Sequence, residues 1–184
     1  MKLLAVLAVV MAVGLNAQPM NRVATMNMFD AWKAPVPPRH LIGNLHYVGA
    51  IGVSSYLITT PEGHVILDSG FEETVPIIER GVKELGFELK DVRLILSSHA
   101  HIDHTGGHAA LKRLTGAKVV ASEADARVLE SGGAEDFIPM PKDLVTYEPV
   151  KVDRVVRDGE TVEIGGVKLT ANVTPGHTRG ATTW

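Results

Sequence analysis

A dense group of metal-binding side chains stands in the middle of the chain. Three of the eight histidines and one aspartate lie within six residues, as His99, His101, Asp103 and His104. They directly follow an apolar run over residues 92–96 that is typical of a buried strand. Because alternate side chains of extended backbone point to the same side, His99, His101 and Asp103 can converge. His104 can join them where the chain turns into a helix. The pattern predicts a metal site.

His177 is the second element of the predicted site. It ends a predicted strand, after a Pro-Gly pair that lets the chain turn sharply. Three histidines with one open position are a common catalytic zinc arrangement, so His99, His101 and His177 form one group. Asp103 and His104 then remain for a second metal, since paired metals lie about 3.5–4 Å apart.

The chemistry of the ligands follows from the composition, because the chain contains no cysteine. Any metal site is therefore built from histidine and carboxylate side chains. These ligands suit zinc and also accept iron or manganese. A set of surface histidines without a ligand role is the alternative, but such dense and regular spacing is uncommon by chance.

Other titratable residues receive plainer interpretations. Asp68 ends a predicted buried strand, where it either caps a turn or orients the metal ligands through a hydrogen bond. His108 lies four residues after His104, but a metalloprotease helix would need glutamate where Thr105 stands, so we expect no ligand role for His108. The three remaining histidines, near turns or strand ends, are interpreted as structural or solvated: His40, His46 and His64.

The elements that position these residues alternate between strands and helices. Apolar periodicity predicts helices over 74–85 and 104–114, and a further helix opened by Ser122 with Asp125 in the spacing of a capping box. Strands are predicted over residues 45–48, 54–59, 64–67, 92–96, 118–121, 152–156, 161–164 and 167–173. This order favours a mixed α/β fold rather than a purely parallel sheet.

The first residues have the form of an export signal. Lys2 precedes an apolar run over residues 3–13, and small residues follow up to Ala17. This run is too short to cross a bilayer core, which takes about 20 residues in a helix. We therefore expect residues 1–17 to be a cleaved bacterial signal peptide. The mature protein would begin near Gln18 and be periplasmic or secreted, without a membrane anchor.

The rest of the chain divides into two predicted parts. Residues 18–38 contain Trp32 and a cluster of three prolines, Pro35, Pro37 and Pro38, which predicts an extended arm laid over the domain. Residues 39–184 form one predicted domain, in a chain with 45% hydrophobic and 21% charged residues. The formal net charge of −3 gives no reason to expect nucleic acid or an anionic membrane as a partner.

On these residues the chain resembles the metallo-β-lactamase superfamily. The spacing His-x-His-x-Asp-His is its hallmark, joined here by Leu67-Asp68-Ser69-Gly70 upstream and Gly176-His177 downstream. Segments 52–57 and 175–184 make the chain most similar to the third subclass of class B β-lactamases. The resemblance implies an αβ/βα sandwich with two zinc ions in a cleft at its edge.

The resemblance also implies roles for the site residues. His99, His101 and His177 would bind the first zinc, and Asp103 and His104 the second. A zinc-held hydroxide would attack the carbonyl of a small-molecule β-lactam, with Asp103 helping to orient it. The second zinc would steady the departing ring nitrogen. Zinc makes this feasible by lowering the pKa of bound water to about 7. Such hydrolysis would confer antibiotic resistance.

One departure from the superfamily concerns the end of the chain. Its members continue into further strands and helices, which supply a last histidine ligand of the second zinc and serines that contact the substrate. No histidine comes after His177 here. We therefore expect the N-terminal part of a longer enzyme, with the sandwich incomplete at its C-terminus. The 184-residue polypeptide by itself would be unstable and nearly inactive, since apolar surface would be left uncovered.

Two other functions stay open. One is a different hydrolase of the same superfamily, such as a lactonase, a thioesterase of the glyoxalase II type or a phosphodiesterase. The export signal and segments 52–57 and 176–184 argue against these. The other is an exported, non-catalytic zinc-binding protein. Turnover of a β-lactam, abolished by a chelator and restored by zinc, would distinguish an enzyme from such a protein.

Overall fold

The computed structural model describes residues 21–137 and 139–184. The signal peptide predicted over residues 1–17 lies outside these ranges, so export stays a prediction. Within the part of the chain that is described, no helix combines the length and the apolar character needed to span a membrane.

A seven-stranded mixed sheet forms the centre of the fold. Its strands lie side by side in chain order, and the first four are antiparallel while the last four run parallel. The first strand was not predicted from the sequence, and the others fall within or close to the predicted ranges. The strands are β1 (Arg39–Ile42), β2 (Leu45–Tyr47), β3 (Tyr56–Ile58), β4 (His64–Leu67), β5 (Val92–Leu96), β6 (Lys118–Ser122) and β7 (Arg154–Val156).

Helices connect the strands and cover one face of the sheet. Side chains of three of them, Val75–Glu84, His108–Thr115 and Glu123–Glu130, share a buried core with Ile66 and Ile95 of the sheet. The helix predicted over 104–114 is two short helices, which meet at Gly106-Gly107. The helices are α1 (Arg22–Trp32), α2 (Val75–Glu84), α3 (Ile102–Thr105), α4 (His108–Thr115), α5 (Glu123–Glu130) and α6 (Lys142–Val145), with 3-10 turns at Glu72–Thr74 and Leu89–Asp91.

A smaller β layer covers the opposite face of the sheet. It consists of a hairpin, β8 (Thr161–Ile164) with β9 (Val167–Thr170), and of a short pair, β10 (Asn172–Val173) with β11 (Thr182–Thr183). Its core contains Val65 and Leu96 of the sheet, and among the described residues it includes none from a helix. Because successive strand side chains point to opposite faces, the two-sided burial explains why residues 65–67 of β4 and 94–96 of β5 are all apolar. The architecture is the mixed α/β fold expected.

The segment before the sheet corrects one prediction. Residues 18–38 were expected to be extended, but Arg22–Trp32 form helix α1, whose first turn is capped by the Asn21 side chain accepting a hydrogen bond from the Ala24 amide. The clustered prolines, Pro35, Pro37 and Pro38, lie beyond the end of this helix, so they restrict only the backbone after Trp32. The helix does lie over the domain, because Phe29 and Trp32 pack against the small core around Phe71.

Candidate metal centre

The candidate site lies where the parallel strands end. β4 leads directly into Asp68, and β5 leads through Ser97 and Ser98 to His99. Because the carboxyl ends of parallel strands meet at one edge of a sheet, loops from distant parts of the sequence become neighbours there. The loop between β10 and β11 reaches the same edge, and at its end the Thr182 amide of β11 donates to the carbonyl of Ser98.

Three predicted ligands converge at this edge. One ligand atom from each of His99, His101 and His177 lies within 4.8 Å of the other two. The ring centroids of His99 and His101 are 4.9 Å apart, and those of His101 and His177 are 4.5 Å apart. His101 Nδ1 and His177 Nε2 approach to 3.0 Å. The structure therefore brings together the three histidines that the sequence grouped.

The nitrogen atoms of this group fit a shared metal ion. Two tetrahedral zinc ligands at about 2.0–2.1 Å from the ion lie about 3.3 Å apart, close to the separation of His101 Nδ1 and His177 Nε2. The buried Nε2 atoms of His99 and His101 have no hydrogen-bond partner among the described residues. Asp136 Oδ2 comes within 3.0 Å of His101 Nε2, but the two groups are not aligned as a hydrogen bond. A metal ion would satisfy at least the His99 nitrogen.

Two imidazoles of this group, those of His99 and His101, lie in surroundings that favour the neutral, ligand form. Burial lowers the pKa of His99 to about 2, and the neighbouring His104, His101 and His177 contribute to the shift. Burial also lowers the pKa of His101, although the nearby carboxylate of Asp136 opposes the shift. A histidine must be neutral to donate a lone pair to a metal, so this environment favours coordination at neutral pH.

A second potential metal group contains Asp103 and His104. Their ligand atoms, together with one from His99, lie within 4.8 Å of one another. Asp103 Oδ2 is 3.6 Å from His104 Nε2, and the ring centroids of His99 and His104 are 3.9 Å apart. The two groups therefore adjoin each other, with His99 between them. Adjoining groups of potential ligands are compatible with a pair of metal ions.

Asp68 contacts the His104 ring nitrogen that lies away from Asp103. Its carboxylate is buried, and Oδ2 lies 2.8 Å from His104 Nδ1. Burial would lower the pKa of His104, but the hydrogen bond and the charge of Asp68, together with Asp103, raise it. Asp68 also accepts hydrogen bonds from the amide and the hydroxyl of Ser98. The contact with His104 is the one expected of a carboxylate that orients a ligand, whereas the contacts with Ser98 join Asp68 to the segment after β5 rather than to its own turn.

The backbone of Asp68 is unusual as well. Its φ of +60° places a residue other than glycine in the left-handed region, which aspartate tolerates better than most side chains. The next turns are crowded, because a Cβ on Gly107 would lie 2.6 Å from Val75 Cγ2 and 3.0 Å from the carbonyl oxygen of Ser69. The absence of a side chain at Gly107 lets the backbone approach closely here.

The other histidines lie outside both groups. His108 is fully buried, with Nδ1 2.7 Å from Ser69 Oγ and Nε2 2.9 Å from Ser97 Oγ, so both ring nitrogens already have partners. Burial lowers its pKa to about 4. The remaining three histidines lie in a different cluster. The rings of His46 and His64 contact the ring of Phe87, and the ring of His40 contacts that of His46.

Sequence analysis missed one buried carboxylate at the site. Ser122 and Asp125 were predicted to form a capping box, and helix α5 does begin after Ser122, but neither side chain caps it. Ser122 Oγ donates to the Gly180 carbonyl, and Asp125 accepts from the Gly180 amide. The spacing of the two residues is the same for either role, so no local signal distinguishes them.

A cavity of about 180 Å³ opens beside the candidate ligands. One side of it is apolar and comes largely from helix α1, while the other side carries imidazole and carboxylate groups. It is large enough for part of a small organic molecule. The residues that line it are Met28, Phe29, Trp32, His101, Ile102, Asp103, Asp136, Met140, Val145 and His177.

Two solved β-lactamases share this fold. The FEZ-1 metallo-beta-lactamase from Legionella gormanii is 45% identical with a TM-score of 0.80, over 82% of this chain and 58% of that one. BJP-1, a subclass B3 metallo-beta-lactamase of Bradyrhizobium japonicum, is 41% identical with a TM-score of 0.76, over 83% of this chain and 57% of that one.

The curated relatives have more varied activities. A hydroxyacylglutathione hydrolase of Rhodopseudomonas palustris is 34% identical over 123 residues, which are 67% of this chain and 39% of that protein. The chain thus spans about 40% of this relative and under 60% of the two solved structures. The model of the metallo-beta-lactamase superfamily matches residues 48–183. With its histidines converging at the carboxyl edge of that fold, this chain belongs to the metallo-beta-lactamase superfamily.

Proposed function

We propose that this protein is a zinc-dependent hydrolase that opens β-lactam rings. The observation that carries the proposal is the convergence of His99, His101 and His177 beside a cavity that is apolar on one side. The likeness to FEZ-1, at 45% identity, favours a β-lactam over the other substrates of the superfamily.

Zinc suits the residues that are present. Neutral imidazoles and a carboxylate are among its usual protein ligands, and the chain offers no thiol. When bound, zinc lowers the pKa of a coordinated water to about 7 and polarises a carbonyl oxygen. His99, His101 and His177 would hold one ion, and Asp103 and His104 would bind the second.

The side chains around the ligands supply orientation. Asp103 is about one-quarter exposed, so its carboxylate can accept a hydrogen bond from the attacking water and fix the direction of its lone pair. Asp68 fixes the ring of His104 through Nδ1, which leaves Nε2 directed toward Asp103. Such outer contacts set the tautomer and the angle of a ligand.

The cavity would place the substrate. Phe29 and Trp32 of helix α1 form its apolar wall, opposite His101, Asp103 and His177. An apolar side group of a bicyclic β-lactam could lie against α1 while its ring carbonyl faces the imidazoles. Binding energy from that distant group would hold the carbonyl at the reacting position.

A glutathione thioesterase is the second candidate function. It is favoured by the 34% identity to the hydroxyacylglutathione hydrolase of Rhodopseudomonas palustris. The larger coverage and identity of the two β-lactamase structures favour the first proposal. Lactone hydrolysis and zinc binding without catalysis are left as outcomes of the test.

The test is turnover of three substrates by the zinc-loaded protein: a chromogenic cephalosporin, a lactoylglutathione thioester and an acylated homoserine lactone. We expect the cephalosporin to be hydrolysed at a low rate that a chelator abolishes and zinc restores. The same preparation carrying His177→Ala supplies the background rate. Chelator-sensitive turnover of the thioester or the lactone alone would contradict the proposal. Zinc binding without turnover above the His177→Ala background would favour a non-catalytic zinc-binding protein.

The proposal includes export to the periplasm or the medium, which rests on residues 1–17 alone. The mass of the protein recovered from an exporting bacterium tests it. A chain that starts near Gln18 is expected, and retention of Met1 would contradict export.

A further inference from the structure

Asp125 is a buried carboxylate that belongs to neither metal group. It lies in the first turn of α5 and is 2% exposed. Burial raises the pKa of its carboxyl, although hydrogen bonds from Thr178, Gly180 and Ala100 oppose the shift. A carboxylate buried to this degree is costly to the fold unless its oxygens have partners.

Its partners come from the two segments that carry the three converging histidines. Oδ2 accepts from the Ala100 amide at 3.0 Å and from the Thr178 hydroxyl at 2.9 Å. Oδ1 accepts from the Gly180 amide at 3.0 Å. Ala100 stands between His99 and His101, and Thr178 directly follows His177. One oxygen atom thus links the backbone between two of the histidines to the neighbour of the third.

Neighbouring contacts reinforce the same link. The hydroxyl of Tyr147 donates to the Ala100 carbonyl at 2.8 Å, so both backbone groups of Ala100 are held by side chains. Ser122 Oγ donates to the Gly180 carbonyl at 2.6 Å, so Gly180 is held in the same way. A Cβ at Gly180 would lie 2.6 Å from the Asp125 amide, so only glycine lets this loop approach α5 so closely.

We propose that Asp125 is a positioning residue that holds the segment of His99 and His101 against the segment of His177, so that the three imidazoles converge before any metal binds. The two segments are far apart in the sequence, and closing the chain between them costs conformational entropy. With the Asp125 contacts in place, this entropy is lost when the protein folds and not when the metal binds. The metal therefore binds with higher affinity. The inference rests on the metal centre of the proposed function.

The prediction is that loss of these contacts weakens metal binding more than it weakens the fold. Substitution of groups that support metal ligands through hydrogen bonds typically reduces metal affinity about 10–100-fold. We expect Thr178→Val to weaken zinc binding about 10-fold, and Asp125→Asn to approach about 100-fold, since the amide cannot accept all three hydrogen bonds.

The matched control is Thr182→Val. Thr182 is also a buried threonine and begins strand β11 at the end of the same loop, but its hydroxyl donates to the Gly180 carbonyl rather than to Asp125. Zinc affinity is measured by competition with a chromophoric chelator, and the visible absorption of the Co²⁺-loaded protein reports the ligand geometry. Thermal unfolding of the metal-free variants reports stability. Thr178→Ser, which keeps the hydroxyl, should restore the affinity.

The outcomes are distinct. The proposal holds if Thr178→Val lowers zinc affinity about 10-fold relative to Thr182→Val at similar stability, and if Asp125→Asn combined with Thr178→Val is no weaker than Asp125→Asn alone. It is overturned if the two valine variants bind zinc equally well. Failure of the unaltered protein to bind zinc would remove this proposal and the metal centre together. Absence of β-lactam turnover with the expected affinity pattern would remove only the proposed substrate.

Discussion

The protein contains two groups of three histidines that look alike in composition and differ in what they can bind. The first, the edge group, is His99, His101 and His177 at the carboxyl ends of the parallel strands. The second, the Phe87 group, packs its rings around Phe87 and one another at separations of 5.2–5.3 Å, only slightly wider than those of the edge group. Its members are His40, His46 and His64.

The directions of the ring nitrogens distinguish the two groups. In the edge group they face one another, and His99 Nε2 is buried without a partner among the described residues. In the Phe87 group, His40 Nε2 lies 2.9 Å from the Gly43 carbonyl and His64 Nδ1 accepts from the Thr60 amide. His46 Nδ1 is buried and has no hydrogen-bond partner among the described residues. Among those residues, however, His46 belongs to no group of three potential metal ligands. Convergence of lone pairs, rather than the density of histidine, makes a metal site.

The largest expected effect separates the two groups directly. His177→Ala removes one of three converging ligands, so we expect zinc affinity to fall more than about 100-fold. His40→Ala, in the exposed part of the Phe87 group, should leave affinity within about twofold of the unaltered protein. Both are measured by competition with a chromophoric chelator. Equal losses in the two variants would show that zinc binds the Phe87 group as well, and the comparison would fail.

An intermediate effect on zinc affinity is expected at Asp68, which contacts the ligand candidate His104. Asp68→Asn keeps the shape of the side chain and tolerates the left-handed backbone at φ +60°. It weakens the hydrogen bond to His104, so affinity for a second zinc should fall about 10–100-fold. The first zinc should be affected less than about threefold. Stepwise titration with zinc or Co²⁺ measures both, and a loss confined to the first zinc would contradict the assignment of His104.

The smallest effect concerns the Phe87 group. Burial, and then the charges of His40 and His64, lower the pKa of His46. The unfolded chain therefore binds more protons than the folded one just below the usual histidine pKa of about 6.5, and this contribution to stability falls as the pH drops through that range. His46→Phe removes it and suits the aromatic contact with Phe87.

Thermal unfolding at about pH 8 and about pH 5.5 measures this contribution. The drop in Tm between the two values should be smaller in His46→Phe than in the unaltered protein, by up to about 3 °C. The titration of the edge group is common to both proteins and cancels in the difference. An equal drop in the two proteins would show that His46 is free to protonate within the fold.

Much of the fold was predictable from local patterns. Strands β4 and β5 have the bounds expected, because apolar stretches buried on both faces leave a strong signal between turn residues. Strand β8 also has the bounds expected, because glycine-containing turns at 158–159 and 165–166 flank it. Helix α1 was missed because prolines near its end suggested an extended segment. Strand β1 was missed because all four of its residues are exposed, which leaves no alternation of apolar and polar residues to read.

The candidate site divides in the same way. The spacing of His99, His101, Asp103 and His104 was enough to indicate a metal site, because their proximity is built into six consecutive residues. The grouping with His177 was expected from its residue type and its place at a strand end. The link through Asp125 was not predictable, since a helix-capping acid and a buried bridge between loops have the same local sequence.

The sequence by itself determined the kind of chemistry. A chain without cysteine, with histidines at short regular spacing after a buried strand, can bind a metal through imidazole and carboxylate ligands and in few other ways. Only the tertiary structure decided whether the grouped histidines come together in space. The fold brings His177 within ligand distance of His101 across 76 residues of sequence, while His108, four residues from His104, is enclosed by two serines. The sequence states which side chains are close along the chain. The directions of their lone pairs depend on contacts between segments that are far apart in sequence.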